Sequence, residues 1–282
     1  HHRDLKPDNI LIDRNGRNVF KMTANFREAV KIVDTPLVLP GADQVRVRVV
    51  YAGANAADVN VTAGRYMVGG TVPFDCGLDY ATERELTPVP SLNPAFTSIL
   101  PTGLTAYIGL DEAGRIEIGD KVLITASAGG TGHIAVQYAK QKGCFVIGMT
   151  SSGEKAKVLK GLGADRVINY KTENLDEVLT NEFPKGIDVV WETIGGQVLE
   201  TLFNHLAPKG RLVVLGFTDS YKSENVKEVL RHGYGFHWVD LCKNRYSEYN
   251  NGYFDLAPKY VKQLIDDIET KKLRILRLTP PL

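Results

Sequence analysis

The sequence predicts an α/β protein: a doubly wound parallel sheet preceded by a smaller β-rich region. Two observations carry this. From Lys121 to Gly216, short apolar runs alternate with amphipathic segments, and the runs VLIT, VIGM and RLVVLG are unbroken, as strands buried on both faces read. Before Leu104, in contrast, Val45-Arg46-Val47-Arg48-Val49 alternates with period two, and Gly53, Gly64, Gly69, Gly70, Pro73, Pro88, Pro90 and Pro94 punctuate the chain. Short strands and turns, and not helices, are expected there.

The α/β series begins with a strand from Lys121 to Thr125. The helix after it carries Ile134, Ala135, Tyr138 and Ala139 on one face and stops at Gly143. Next come strand Phe145 to Met149, helix Glu154 to Leu162 closed by Gly163, and strand Arg166 to Tyr170. Helix Leu175 to Glu182, strand Ile187 to Trp191, helix Gln197 to Leu206 and strand Arg211 to Gly216 complete it. Beyond Gly216 the pattern weakens. Tyr221 to His232 is a candidate helix, and Leu256, Tyr260, Leu264, Ile265 and Ile268 give Asp255 to Thr270 near-helical spacing.

The 282 residues suffice for two domains, and 34 Lys and Arg against 33 Asp and Glu leave a net charge of +1. That balance argues against nucleic acid or an anionic membrane as partner and favours small molecules. Cys76, Cys144 and Cys242 form no CxxC pair and no even disulfide set, which fits a reducing compartment. No apolar run approaches a membrane span, and the N-terminus lacks the apolar core of a signal peptide. The expected location is the cytoplasm, with mitochondrion or peroxisome left open.

Residues His2 to Asp13, HRDLKPDNILID, are similar to the catalytic loop of protein kinases, in which Asp4, Lys6 and Asn9 would be base, phosphate contact and magnesium ligand. The DFG aspartate that should follow is missing, because Lys21 to Phe26 reads KMTANF. Kinase activity is therefore not expected, and residues 1–17 are read as a flexible leader outside the fold.

Ser127-Ala128-Gly129-Gly130-Thr131-Gly132 runs from a buried strand into a helix. Backbone N–H groups at such a helix start can hold a pyrophosphate. The first glycine of GxGxxG is lost here, so the context carries the reading, and a turn used only for tight packing is the rival. The next strand ends in Thr150-Ser151-Ser152-Gly153-Glu154-Lys155, with no carboxylate at the strand end to accept from a ribose 2′-hydroxyl. Hydroxyls and a cation accommodate a 2′-phosphate, which favours NADP over NAD. Lys155 also reads as an ordinary solvated helix residue.

These residues resemble a known family. ASAGGTGHIAVQYAK, GADRVINYKTE, GIDVVWETIGG and KGRLVVLGF are similar to the cofactor domain of the zinc-free quinone oxidoreductases and prostaglandin reductases of the medium-chain dehydrogenase/reductase superfamily. NFREAV, YAGANAADVNVTAGRY, PFDCG and TGLTAYIGL resemble the catalytic domain of the same group. The resemblance covers about Val19 to Tyr221. It implies a Rossmann domain over 104–232, a GroES-like catalytic domain over 18–103 with 233–282 as a candidate to return to it, and NADPH-dependent reduction of quinones or α,β-unsaturated ketones. A homodimer is allowed. By position, Gly129, Gly130 and Gly132 would hold the pyrophosphate, and Ser151, Ser152, Lys155 and Tyr170 would surround the 2′-phosphate. Gly195, Gly216 and Phe217 would line the nicotinamide side, with Thr105 beneath the cofactor. Asn55 and Tyr66 would sit near nicotinamide and substrate, Tyr66 donating to a developing enolate oxygen. For Tyr170 a strand-end aromatic packed on a helix is an equal rival, and for Tyr66 a loop aromatic closing the barrel.

The zinc-dependent relatives place a Cys and a His-Glu pair where this chain has Gly77-Leu78-Asp79, and no His lies between His2 and His133, so no catalytic zinc is expected. His133, His205, His232 and His237 are read as surface or packing residues. The family pattern also breaks: Gly77 to Glu83 leads almost at once to Thr87-Pro88-Val89-Pro90-Ser91, where relatives have further barrel strands. Two readings follow. One is a reductase with a reduced substrate domain, the other an inactive fragment that still binds nucleotide, and quinone or enone turnover separates them.

Overall fold

A computed structural model of the chain describes residues 10–11, 15–19, 28, 30–34, 45–46, 72, 74–75, 88–216 and 256–276. They fall into two units, His1–Thr97 and Ser98–Leu282. In the first, β1 (Ile10–Leu11) pairs in parallel with β4 (Val45–Arg46). A second sheet has the order β3-β2-β5, with β2 (Asn15–Val19) antiparallel to β3 (Val30–Asp34) and to β5 (Phe74–Asp75). The strand expected from Val45 to Val49 starts where its alternation starts; residues 47–49 lie outside the described set.

Part of the segment read as an excluded leader therefore stands in strands. Asn-Gly-Arg-Asn is a poor strand former in isolation, but its partner Val30–Asp34 is rich in β-branched residues, and pairing overrides local propensity. The stretch after Pro94 also departs from expectation. Pro94–Ser98 is a 3-10 turn, and Ile99–Leu104, α1 (Thr105–Ile108) and Gly109–Ala113 follow as one helical array with wide π-type turns on both sides of α1. Pro94 fits the first position of such a turn with its fixed φ. Ala95, Ile99, Ala106, Tyr107 and Leu110 are buried, at a spacing that suits a helix and that the local density of Gly and Pro obscures.

The second unit is built on a five-stranded parallel sheet of order β10-β9-β6-β7-β8. Its strands are β6 (Lys121–Ile124), β7 (Phe145–Thr150), β8 (Arg166–Asn169), β9 (Ile187–Glu192) and β10 (Leu206–Val214). The helices α2 (Gly130–Gln141), α3 (Gly153–Gly161), α4 (Leu175–Glu182) and α5 (Gly196–Asn204) connect them in turn. Gly143 follows α2 at φ +81 and Gly163 follows α3 at φ +100, so both helices end in the left-handed residue the sequence supplies. Ser152 caps α3, and Asn174 caps α4 by accepting from the N–H groups of Asp176 and Glu177.

Alternation assigns the faces. Leu123, Ile147, Met149, Ile168 and Val190 form one core with Leu179 of α4 and Leu202 of α5. Gly148 points the other way: a Cβ there would stand 3.4 Å from Leu159 of α3. Strand β10 starts earlier than expected, at Leu206, because Leu206 pairs with Ile187 before the chain bulges through Pro208 and Lys209, the latter at φ +66. A Cβ on Gly186 would meet the Ala207 nitrogen at 2.5 Å, so this crossing needs glycine.

The C-terminal helix α6 (Ala257–Glu269) matches its expected span closely and is built into this second unit, against the helical array before β6. Tyr107 donates to Asp267 at 2.8 Å; Tyr260 donates to Glu112 at 2.7 Å, and Tyr138 to Asp111 at 2.6 Å. Tyr107 and Tyr138 stack with ring centroids 3.7 Å apart, and Lys142 pairs with Asp111 at 3.0 Å. Burial and carboxylate neighbours hold all three phenols well above their usual pKa, so they remain donors. Replacing Tyr107 by Phe leaves the buried Asp267 carboxylate short of a donor, and we expect a loss of about 1–3 kcal/mol. Urea unfolding of the variant measures it; an unchanged midpoint would refute the role assigned to this bond.

Candidate functional site

Strand order reverses between β6 and β9, and the crevice at the carboxyl ends of two such strands is where ligands enter open α/β sheets. Thr125 locks that point. Its N–H donates to the Trp191 carbonyl at 3.0 Å, and its Oγ1 accepts the Thr193 N–H at 2.8 Å. The chain then turns sharply. Ala126 takes φ +43, which a residue with a Cβ adopts only when its surroundings enforce it. Ser127 donates through Oγ to the Met149 carbonyl at 2.8 Å, tying the turn to β7, and Gly148 leaves room for it, since a Cβ there would lie 2.9 Å from that oxygen.

Three glycines then open α2. A Cβ on Gly132 would lie 2.5 Å from the Ala126 carbonyl oxygen and 2.7 Å from Ser127 Cα, so only glycine lets the helix approach the turn. Gly129 and Gly130 are exposed, and a Cβ on Gly130 would meet nothing nearer than Thr102 at 3.6 Å. The first N–H groups of α2 have no acceptor within the helix, and a backbone bare of side chains lets an anion reach them. Thr102 is thus the residue of the helical array nearest this opening, while Thr105, half-buried, stands at the start of α1. The sequence pointed to Thr105 alone, although both lie in the same TGLT stretch.

At the neighbouring edge, Ser151 and Ser152 follow β7 half-buried, and Ser152 Oγ accepts the Lys155 N–H at 3.3 Å. Lys155 is exposed. Tyr170 donates its N–H to the Thr150 carbonyl at 3.1 Å, which ties its backbone to the end of β7, and the residue is 41% exposed. Thr150 Oγ1 is buried with no partner. A glycine cradle that any Cβ would fill, an orphaned hydroxyl at the end of β7 and the absence of a carboxylate there fit a dinucleotide with a 2′-phosphate.

The third part of the edge escaped the sequence reading. Glu192, 0% exposed, ends β9 and accepts from the N–H groups of Ile194 at 2.6 Å and Gly195 at 3.0 Å. Burial pushes its carboxyl up to about 7 against the pull of those donors. The signal was an acidic residue directly after the apolar run Val189-Val190-Trp191. Gly195 caps α5 at φ +82, and Gly216 lies buried just past β10. Asn55, Tyr66 and Phe217 lie outside the described residues.

His133 is a packing residue, in line with the sequence reading of a surface or packing residue. It is buried, its Nδ1 lies 2.9 Å from the Gly129 carbonyl, and Nε2 accepts the Leu276 N–H at 3.2 Å, which fixes the tautomer with the proton on Nδ1. Burial holds its pKa below the usual value. Gln137 and Gln141, one and two turns on, bind the backbone of Arg274 and Lys272 in the same way. Among the described residues, no group of three His, Cys, Asp or Glu could hold a metal ion. Likewise, none of their helices is long and apolar enough to cross a membrane.

Residues 130–250 match the family described as zinc-binding dehydrogenase. Prostaglandin reductase-3 of Bos taurus is 40% identical over 240 residues, covering 73% of this chain and 64% of the relative. The chain thus spans under two thirds of that protein's length. A probable quinone oxidoreductase of Leishmania amazonensis is 37% identical over 300 residues, covering 91% of this chain and 87% of the relative. That aligned length exceeds the 282 residues here, so the relative has internal residues without a counterpart in this chain. The crystal structure of Escherichia coli quinone oxidoreductase complexed with NADPH shares the fold, with a TM-score of 0.73 at 18% identity over 93% of this chain and 90% of that one. With identity spread over most of both chains, this protein belongs to the zinc-binding dehydrogenase family of the medium-chain dehydrogenase/reductase superfamily, in the branch of the quinone oxidoreductases and prostaglandin reductases.

Proposed function

We propose that the chain is an NADPH-dependent oxidoreductase that reduces quinones or the C=C bond of α,β-unsaturated ketones. The observation that carries this is the open glycine turn at the β6/β9 reversal beside a β7 end that bears hydroxyls and no carboxylate. The substrate class comes from the relatives named for quinones and prostaglandins. When bound, the cofactor supplies a hydride.

In this reading Gly129, Gly130 and Gly132 hold the pyrophosphate, and Ser151, Ser152, Lys155 and Tyr170 take the 2′-phosphate. Thr105, Gly195, Gly216 and Phe217 border the rest of the cofactor. Asn55 orients cofactor or substrate, and the Tyr66 hydroxyl donates to the carbonyl oxygen as negative charge develops there. The protein's work is alignment and charge stabilisation: hydride adds to the β-carbon or the quinone, and the enolate or quinol oxygen that results takes its proton from solvent water.

The same proposal assigns catalysis to the β-rich region over 18–103 and nucleotide binding to 104–232, places the protein in the cytoplasm with mitochondrion or peroxisome open, and allows a homodimer. A second reading, a nucleotide-binding chain without turnover, is favoured by the internal residues that the Leishmania relative has and this chain lacks.

Ligand binding to the folded state raises stability by mass action, about 2.7 kcal/mol at a hundredfold excess over Kd. NADPH should therefore shift the melting transition well above the shift given by NADH. In Gly132→Ala the NADPH shift should vanish, because the added Cβ displaces the turn; equal shifts for both nucleotides, or for both proteins, would count against the site. Turnover is read from loss of nicotinamide absorbance with a quinone or an enone. Tyr66→Phe should lower kcat by about 10²–10³, the usual effect of removing one oxyanion donor, and Asn55→Ala should raise KM. Wild-type rates in both variants would remove these residues from the mechanism, and binding without turnover would select the second reading.

A further inference from the structure

Glu192 is a buried ionisable group that the proposed function leaves without a task. Its backbone carbonyl accepts the Leu215 N–H at 2.7 Å, which holds β10 alongside β9. Its side chain folds back over the residues that follow, taking the Ile194 N–H on Oε1 at 2.6 Å and the Gly195 N–H on both oxygens at 3.1 and 3.0 Å. From the other side Thr125 Oγ1 takes the Thr193 N–H at 2.8 Å and approaches Thr193 Oγ1 to 3.1 Å. The turn Thr193–Gly195 therefore hangs on two side chains, one from each strand of the reversal.

Successive N–H groups of a turn form a concavity that attracts anions. The corresponding place after β6 is lined by bare glycine, whereas here the chain fills it with its own carboxylate. Gly195 adopts φ +82 and ψ −164, a backbone region essentially confined to glycine, so the turn has a particular shape that the carboxylate selects. Both carboxylate oxygens are taken by backbone donors and none of the group is exposed, which leaves it no route to act as an acid or base on a substrate. By topology the turn borders the crevice between β6 and β9.

We infer that Glu192 is a positioning residue for the nicotinamide half of the cofactor: it fixes the Thr193–Gly195 backbone edge against which that half lies, while the adenosine half is held separately by the turn after β6 and the end of β7. The inference rests on the dinucleotide reading above and deepens it. It makes the two halves of the ligand separable in a way that a purely structural role does not.

The test is calorimetric titration of the whole chain with two probes, NADPH and adenosine 2′,5′-bisphosphate, in wild type and in Glu192→Gln, which keeps the side-chain shape and one acceptor. The expected result is a roughly tenfold weaker NADPH affinity, as loss of one charge-assisted hydrogen bond predicts, with adenosine bisphosphate affinity unchanged within twofold. The fluorescence of bound NADPH should shift as well, because it reports the nicotinamide surroundings. Thr125→Val, which releases the same turn from its other anchor, should give the same split and serves if Glu192→Gln does not fold. A folded variant that binds both probes as wild type does, or loses both equally, overturns the inference while leaving the dinucleotide reading in place. Wild type that binds neither probe overturns both.

Discussion

The structure of the second unit depends on one crossing, the reversal of strand order between β6 and β9. Everything that reaches the crevice there does so because two strands made adjacent by topology, though 66 residues apart at the Thr125–Trp191 contact, are stitched at their carboxyl ends. Thr125 does the stitching with its N–H and its hydroxyl, and it is fully buried, so water does not compete for either bond. Once that point is fixed, the turn after β6 and the turn after β9 emerge side by side. The close approach of Gly132 to Ala126 then aims the start of α2 at the same space.

The two turns are treated oppositely. The one after β6 has no side chain of its own to satisfy the helix start, and the one after β9 carries Glu192 on its N–H groups. An anion at this edge would find open donors only after β6, because the N–H groups after β9 are already taken by the buried Glu192. The orphaned Thr150 hydroxyl lies toward the open side, at the end of β7.

Much of this was legible in the sequence. The five strands, the helices between them and the glycine turn follow from period, unbroken apolar runs and caps such as Gly143 and Gly163, all of which are local signals. What was not legible depends on contacts between distant residues. Asn15–Val19 forms a strand because Val30–Asp34 is there to pair with it. Pro94–Ala113 becomes helical because Tyr107 and Leu110 find a core and Asp111 finds Tyr138 and Lys142. The Gly and Pro density of that stretch suggested turns, and packing outweighed it. Glu192 was missed for a related reason: a single acidic side chain has no period, and its meaning lies in the backbone groups that surround it.

Helix α2 shows how far one element can couple these parts. Its first turn forms the glycine cradle, its middle carries His133 and Gln137, and its end carries Gln141, with Tyr138 and Lys142 facing the Asp111 cluster. His133 joins the Gly129 carbonyl to the Leu276 N–H, so the cradle and the segment after α6 share one imidazole. Satisfied buried polar groups of this kind add little net energy, but each becomes costly when its partner leaves. Displacing the segment after α6 would therefore strand buried groups on His133 and Gln137 together, while exposed Gln141 would turn to water. The cradle is thus held from behind by a stretch of chain more than 140 residues further along, and the residues that shape this glycine turn extend well beyond the glycines that mark it.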